Sequence, residues 1–148
     1  MVYILAGART AQGSLLGSLA AVSAPELGAT AIKGALARAK QNADGVNEVF
    51  MGNVVQAGVG QAPARQAALF SGLSPSVPAT TVNKVCGSGL QSIILGAQTI
   101  ELQANDCVVA GGMENMSLAP HLLLGTRAGI KYGASEIRDA MEWDGLRD

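Results

Sequence analysis

The sequence predicts an α/β domain in which strands and helices alternate as βαβαβαβ and build a parallel or mixed sheet covered by helices. Three observations carry that expectation. Short apolar runs of strand length alternate with segments of helical period. Charged residues make up only 14% of the 148-residue chain, against roughly 25% for an ordinary soluble domain. That shortage is local, because Arg65 and Lys84 are the only charges between Glu48 and Glu101. Strands and helices buried on both faces have this composition.

The elements follow in order. Val2–Gly7 is an apolar run that reads as a buried first strand, and residues 8–14 read as a loop. Ser23-Ala24-Pro25-Glu26 is a capping box: the serine accepts from an orphan N–H, the glutamate reaches back, and proline suits the first turn. The helix it starts is expected to run to about Lys40, with Leu27, Ala31 and Ala35 on one face. Residues 46–55, rich in valine, read as the second strand. A short helix over 64–70 is stopped by Gly72 and Pro75. Residues 77–82 make the third strand. The next helix is expected to reach about Gln103. It has no charge before Glu101, so it is predicted to be buried nearly all round. Residues 106–111 make the fourth strand. Met113 to Pro120 reads as a loop and Ser135 to Met141 as a short helix.

The chemistry concentrates at Val82-Asn83-Lys84-Val85-Cys86-Gly87-Ser88-Gly89. A strand ends, the chain turns sharply, and a helix begins at a cysteine. The first N–H groups of a helix lack intrahelical partners and carry partial positive charge. A thiolate is stabilised there, and the sulfur becomes a nucleophile. The competing reading of Cys86 is a small buried hydrophobe, the usual fate of a free cysteine. Cys107, mid-strand, reads as a packing residue. His121 has no companion ligands at metal spacing, so no metal site is expected. Gly87-Ser88-Gly89 is a weak dinucleotide signal, since Ser92 stands where a third glycine belongs. Glu114 reads as a structural hydrogen-bonding residue.

The stretch Asn83-Lys84-Val85-Cys86-Gly87-Ser88-Gly89 resembles the nucleophile motif of the thiolases, the acetyl-CoA acetyltransferases in particular. Ala8-Arg9-Thr10, residues 60–67 (Gly-Gln-Ala-Pro-Ala-Arg-Gln-Ala) and residues 109–117 (Val-Ala-Gly-Gly-Met-Glu-Asn-Met-Ser) agree with the same family in order and spacing. Asn115 stands where the family often has serine.

The resemblance implies the N-terminal half of a thiolase-like fold, in which the helix after Cys86 is one of a shared buried layer. Residues 1–115 would be the N-terminal α/β domain, and residues 116–148 the start of a loop and tetramerisation region. Cys86 would be the nucleophile that takes the acyl group from acetyl-CoA or a 3-ketoacyl-CoA, with its backbone N–H as one oxyanion-hole donor. Leu146 would line the CoA side of the pocket. No cofactor is implied beyond a coenzyme A thioester as substrate, and relatives are dimers or tetramers. The family's Gly-His-Pro histidine, its second cysteine in Cys-x-Gly and its water-positioning asparagine have no counterparts among these 148 residues. The chain is therefore expected to show little or no turnover alone. A 3-ketoacyl-CoA thiolase of broader chain length, a ketosynthase-like condensing enzyme, and a non-catalytic half acting as an interaction piece stay as alternatives.

The remaining composition narrows the partners. A net charge of −1 gives no electrostatic case for nucleic acid or an anionic membrane surface. No apolar run approaches the roughly 20 residues that span a bilayer. No basic leader precedes the first apolar run, and two cysteines make no disulfide framework, so a cytoplasmic setting is expected. The charge-poor segment reads as an interface, with homo-oligomerisation the simplest cause.

Overall fold

The computed structural model describes residues 1–148. Its core is an α/β unit around a three-stranded sheet. Helix α1 spans Ala24–Ala39, strand β1 Glu48–Gly52, helix α2 Pro63–Phe70, strand β2 Ala79–Val82, helix α3 Ser88–Glu101 and strand β3 Val108–Gly112. The sheet order is β2-β1-β3, parallel throughout. Every connection between these strands therefore crosses over through a helix or long loop, as parallel pairing requires.

The pleat of β1 sorts the helices between two faces. Val49 and Met51 point into a core with Ala24 and Ile32 of α1 and with Ala64, Ala67 and Ala68 of α2. Phe50 and Gly52 lie on the opposite side, where Gly52 meets the start of α3. Alternate residues of one strand face alternate sides of a sheet, so both helical layers are set by this single register.

Helix α1 starts as the capping box requires. Ser23 Oγ accepts from the Glu26 N–H, and the Glu26 carboxylate accepts from the Ser23 N–H at 2.9 Å. The Ser23 hydroxyl also donates to that carboxylate at 2.7 Å, and this bond, with the one from the Ser23 N–H, holds the Glu26 carboxyl below its ordinary value. The helix ends on Lys40 in the left-handed region.

Three expectations are corrected. Val2–Gly7 forms no strand: the segment has no ladder partner, and Tyr3, Ile4 and Leu5 are exposed. An apolar run becomes a strand only when another strand satisfies its backbone groups, and sequence period does not supply that partner. Helix α3 is not buried all round. It presses Ser88, Ser92 and Gly96 on the sheet and leaves Leu90, Ile93 and Ile94 exposed. Its small residues, spaced four apart, allow close approach, and nothing among these 148 residues covers its large ones. Finally, the helix expected over 135–141 does not form over 135–139, and helical backbone begins only at Ala140. Residues Ile137–Asp139 form strand β5, antiparallel to strand β4 (His121–Leu123), and a π-helical turn over Glu142–Leu146 follows. Side-chain alternation in a three-residue strand is too brief to be read against a helical period.

Candidate active site

The carboxyl ends of β1 and β3 converge on the start of α3. A Cβ on Gly52 would lie 2.7 Å from Ser88 Cβ, 2.8 Å from the Ser88 carbonyl carbon and 2.9 Å from Gly89 N. Gly112 also sits close to Gly89, its missing Cβ 3.3 Å from the Gly89 Cα. Only glycine lets the helix start this near the strand ends.

Cys86 is exposed and stands one residue before the Gly87 N-cap, just outside the helix. Its backbone N–H donates to no acceptor in the chain, and no side chain caps α3. The Gly87 and Ser88 N–H groups donate back to the Lys84 and Val85 carbonyls, so the free donor beside the sulfur is the Cys86 N–H itself, as an oxyanion site needs.

The turn that presents the cysteine is strained. Val85 has φ +47°, a left-handed conformation that a β-branched residue adopts at a cost of order 1–3 kcal/mol. Side chains on either side hold it. Asn83 Oδ1 accepts from the Val85 N–H at 3.0 Å. Ser88 Oγ donates to the Val85 carbonyl at 2.6 Å and accepts from the Lys84 N–H at 2.8 Å.

A cavity of about 380 Å³ opens at the cysteine, lined by Asn53, Val54, Val55, Val85, Cys86, Ser88, Glu114, Met116 and Leu146 among others. The structure thus brings Cys86 and Leu146, far apart in the sequence, to one cavity. Leu146 rides on the π-helical turn. The guanidinium groups of Arg138 and Arg147 both lie over the ring of Trp143 on that turn, 4.0 and 4.7 Å from its centre.

Glu114 binds the cavity wall. Its Oε1 accepts from Asn53 Nδ2 at 2.6 Å, and its Oε2 accepts from the Val54 and Val55 N–H groups at 2.8 and 3.3 Å. Burial pushes its carboxyl above the ordinary value, and these three bonds only partly offset that. The sequence reading of Glu114 as a structural hydrogen-bonding residue agrees with this geometry. It missed the partner, because Asn53 enters the site only through the β1–β3 register. Asn115 is held as firmly: its Nδ2 donates to the carbonyls of Leu19, Ala20 and Val22, and its Oδ1 accepts from the Ser117 N–H. These bonds give the asparagine its own structural role.

A second cavity, of about 860 Å³, lies under the N-terminal loop and shares Met113, Glu114, Met116 and Leu146 with the first. Arg9 and Thr10 line it. Cys107 packs against the core beside β3, and burial pushes its thiol up. His121 starts β4 and lines neither cavity. No group of three or more His, Cys, Asp or Glu residues is placed to hold a metal, and no helix is long and apolar enough to cross a membrane.

The family model for the thiolase N-terminal domain matches residues 2–148. The chain belongs to the thiolase family. It is 56% identical to the cytosolic acetyl-CoA acetyltransferase ERG10 of Gibberella zeae over 99% of its length and 37% of that protein's. It is 56% identical to the acetyl-CoA acetyltransferase of Escherichia coli over 97% of its length and 36% of that protein's. An acetyl-CoA acetyltransferase of Aspergillus fumigatus named as mitochondrial is 50% identical over 99% of the chain and 34% of the relative. The chain thus spans little more than a third of the curated relatives it matches. The α/β architecture with its parallel sheet agrees with the thiolase N-terminal domain.

Proposed function

We propose that this chain is the N-terminal part of an acetyl-CoA C-acetyltransferase and that Cys86 carries the acyl group. The observation that supports this most directly is the turn at Val85-Cys86-Gly87, which sets an exposed thiol and an unpaired N–H together at the mouth of a cavity.

The chemistry is one exchange of thioesters. The Cys86 sulfur attacks the acetyl-CoA carbonyl, and the carbonyl oxygen becomes an oxyanion that the Cys86 N–H receives. The bond from carbon to the CoA sulfur breaks, the acetyl group stays on Cys86, and CoA leaves with the proton that the cysteine lost. In the complete reaction a second acetyl-CoA, deprotonated at its methyl carbon, attacks that acyl group. Acetoacetyl-CoA forms and the Cys86 thiol is regenerated. Thiolysis runs the same steps backwards. Leu146, on the cavity wall, is read as an apolar contact for the CoA side of the substrate. The one carboxylate lining this cavity, Glu114, is already engaged by three N–H donors, so acylation is the half-reaction these residues are built for.

The domain reading places residues 1–115 in the N-terminal domain and residues 116–148, with the β4–β5 hairpin, at the start of a loop region that makes contacts between subunits. The exposed Leu90, Ile93 and Ile94 face of α3 supports an assembly in which other protein covers it. A homo-oligomer in the cytosol is the simplest such setting, and the Gibberella relative is named as cytosolic.

Intact-mass spectrometry after incubation with acetyl-CoA tests the proposal, with Cys86→Ala as control. Gain of one acetyl group by the native chain alone is expected. A folded chain that gains none, or equal gain by Cys86→Ala, refutes Cys86 as an acyl carrier within these residues.

A further inference from the structure

Glu114 is the one half-buried carboxylate in the cavity, and acyl transfer to Cys86 makes no use of it. Its bonds all run to donors on the segment after β1. Asn53 itself continues the β1–β2 ladder, donating its N–H to Val82 O at 3.0 Å. Met113 continues the other ladder, donating to Gly52 O at 2.9 Å. From there the two segments leave adjacent strands, and the Glu114 carboxylate ties them again one step beyond the sheet. The tie has a fixed polarity. Asn53 Nδ2 also donates to Met113 O at 3.3 Å, so both groups facing the amide nitrogen are acceptors. Asn53 is 1% exposed and its Oδ1 has no partner, so the side chain is committed to this orientation despite an unsatisfied acceptor.

The wall continues outward from there. Val55 is 4% exposed, and a Cβ on Gly145 would lie 3.0 Å from its Cγ2. Gly145 adjoins Leu146 on the π-helical turn. One carboxylate therefore fixes Val54 and Val55, and Val55 in turn seats the turn that carries Leu146.

We infer that Glu114 is a positioning residue that sets the wall of the Cys86 cavity opposite the nucleophile turn, and so governs how well an acyl-CoA is held there. It acts through Val54, Val55 and Leu146 and does not touch the reacting atoms. This rests on the acyl-CoA reading of the cavity, and the two are separable by experiment.

Glu114→Gln is close to isosteric and removes the fit. Wherever its amide NH2 points, it faces Asn53 Nδ2 or the two backbone N–H groups, and a donor then meets a donor. The assay is calorimetric binding of acetyl-CoA to the full chain carrying Cys86→Ala, with and without Glu114→Gln, so that no acyl transfer is needed. Beside it, the iodoacetamide alkylation rate of Cys86 is compared between the native chain and Glu114→Gln. Binding about tenfold weaker, the scale of one buried donor left unpaired, with an unchanged alkylation rate is expected. Circular dichroism melts confirm that both chains are folded, and Glu114→Ala, which removes the mismatched amide, serves if Glu114→Gln is not. Equal binding with and without the substitution overturns the inference. So does a parallel fall in alkylation, which indicates general damage. Binding by Cys86→Ala without acetylation of the native chain refutes the acyl carrier and leaves the wall standing. No binding by either chain overturns both.

Discussion

Replacing Gly52 by alanine is the sharpest test of how the Cys86 turn is built. The backbone of Gly52 is not in the left-handed region, so alanine is conformationally acceptable there. Loss of unfolded-state freedom would by itself stabilise the variant by about 0.4–1 kcal/mol. Packing opposes that. The new Cβ would lie 2.7 to 2.9 Å from three atoms of Ser88 and Gly89, and two of the three are backbone. Backbone atoms cannot rotate away, so relief to an ordinary separation, at about 3.4–4 Å, requires α3 to move off the sheet by ~0.7 Å or more. A gap of that size forfeits about a quarter to a half of the dispersion attraction between each pair of atoms it separates. The weakening falls on Ser92 and Gly96, which pack along the same helix face. Overpacking of this kind costs about 1–3 kcal/mol. The net expectation is a loss of about 1–2 kcal/mol, seen as a melting point lowered by several degrees at about 2–4 °C per kcal/mol. Because the shifted residues adjoin Cys86, its alkylation rate by iodoacetamide should change in the same variant. Gly96→Ala is the comparison: its Cβ would meet Val108 Cγ1 at 3.0 Å, the end of a side chain, and alanine raises helix propensity by about 1 kcal/mol. A Gly52→Ala chain with native melting point and native alkylation rate would refute the close-approach account.

Two further outcomes follow from the caps and the buried acid. Ser23→Ala removes the acceptor of the α1 capping box and should cost about 1 kcal/mol in urea denaturation; an unchanged midpoint would show that the box contributes nothing. Glu114 should leave a signature in the pH dependence of stability. Its folded carboxyl lies above the unfolded value of 4.5, so the unfolded chain ionises first. Its contribution is therefore fully present below 4.5 and is lost as pH rises through the folded value. Urea midpoints measured from about pH 4 upward should show that decline in the native chain and lack it in Glu114→Gln; a difference between the two that does not vary with pH would contradict the assignment.

Local signals were legible in the sequence where the cause is local. The capping box at Ser23 and Glu26 needs only a short stretch of chain, and both of its bonds form. The three central strands and the three helices follow hydrophobic period and breakers, and their ends fall within a few residues of expectation. The turn around Cys86 was legible because a strand, a glycine turn and a helix meet there within a short stretch. What the sequence did not show depends on register. Asn53 and Glu114 lie 61 positions apart and meet only because Gly52 pairs with Gly112 across the sheet. Val85 reads as an ordinary strand-end valine, and its positive φ arises from Asn83 and Ser88 acting on it from both sides.

Helix α3 shows why uniform apolarity misleads. Its composition suggested burial on every side, yet its residues divide sharply by size. The sheet face carries Ser88, Ser92 and Gly96, small enough for the helix to approach β1 and β3 within backbone contact. Hydrophobicity is not what selects that face, since two of its three residues are serines. Each serine turns its hydroxyl to a carbonyl of the chain itself, Ser88 to Val85 and Ser92 to Ser88. The buried polar atoms are thus satisfied without a partner from the sheet, and the face stays thin. Leu90, Ile93 and Ile94 would hold the helix away from β1 if they faced inward. They must point outward for the cysteine turn to reach the strand ends. The same geometric demand that places Cys86 therefore produces the exposed apolar face. Bulk at Ser88 or Ser92 would disturb the Cys86 turn, whereas bulk at Ile93 or Ile94 would not.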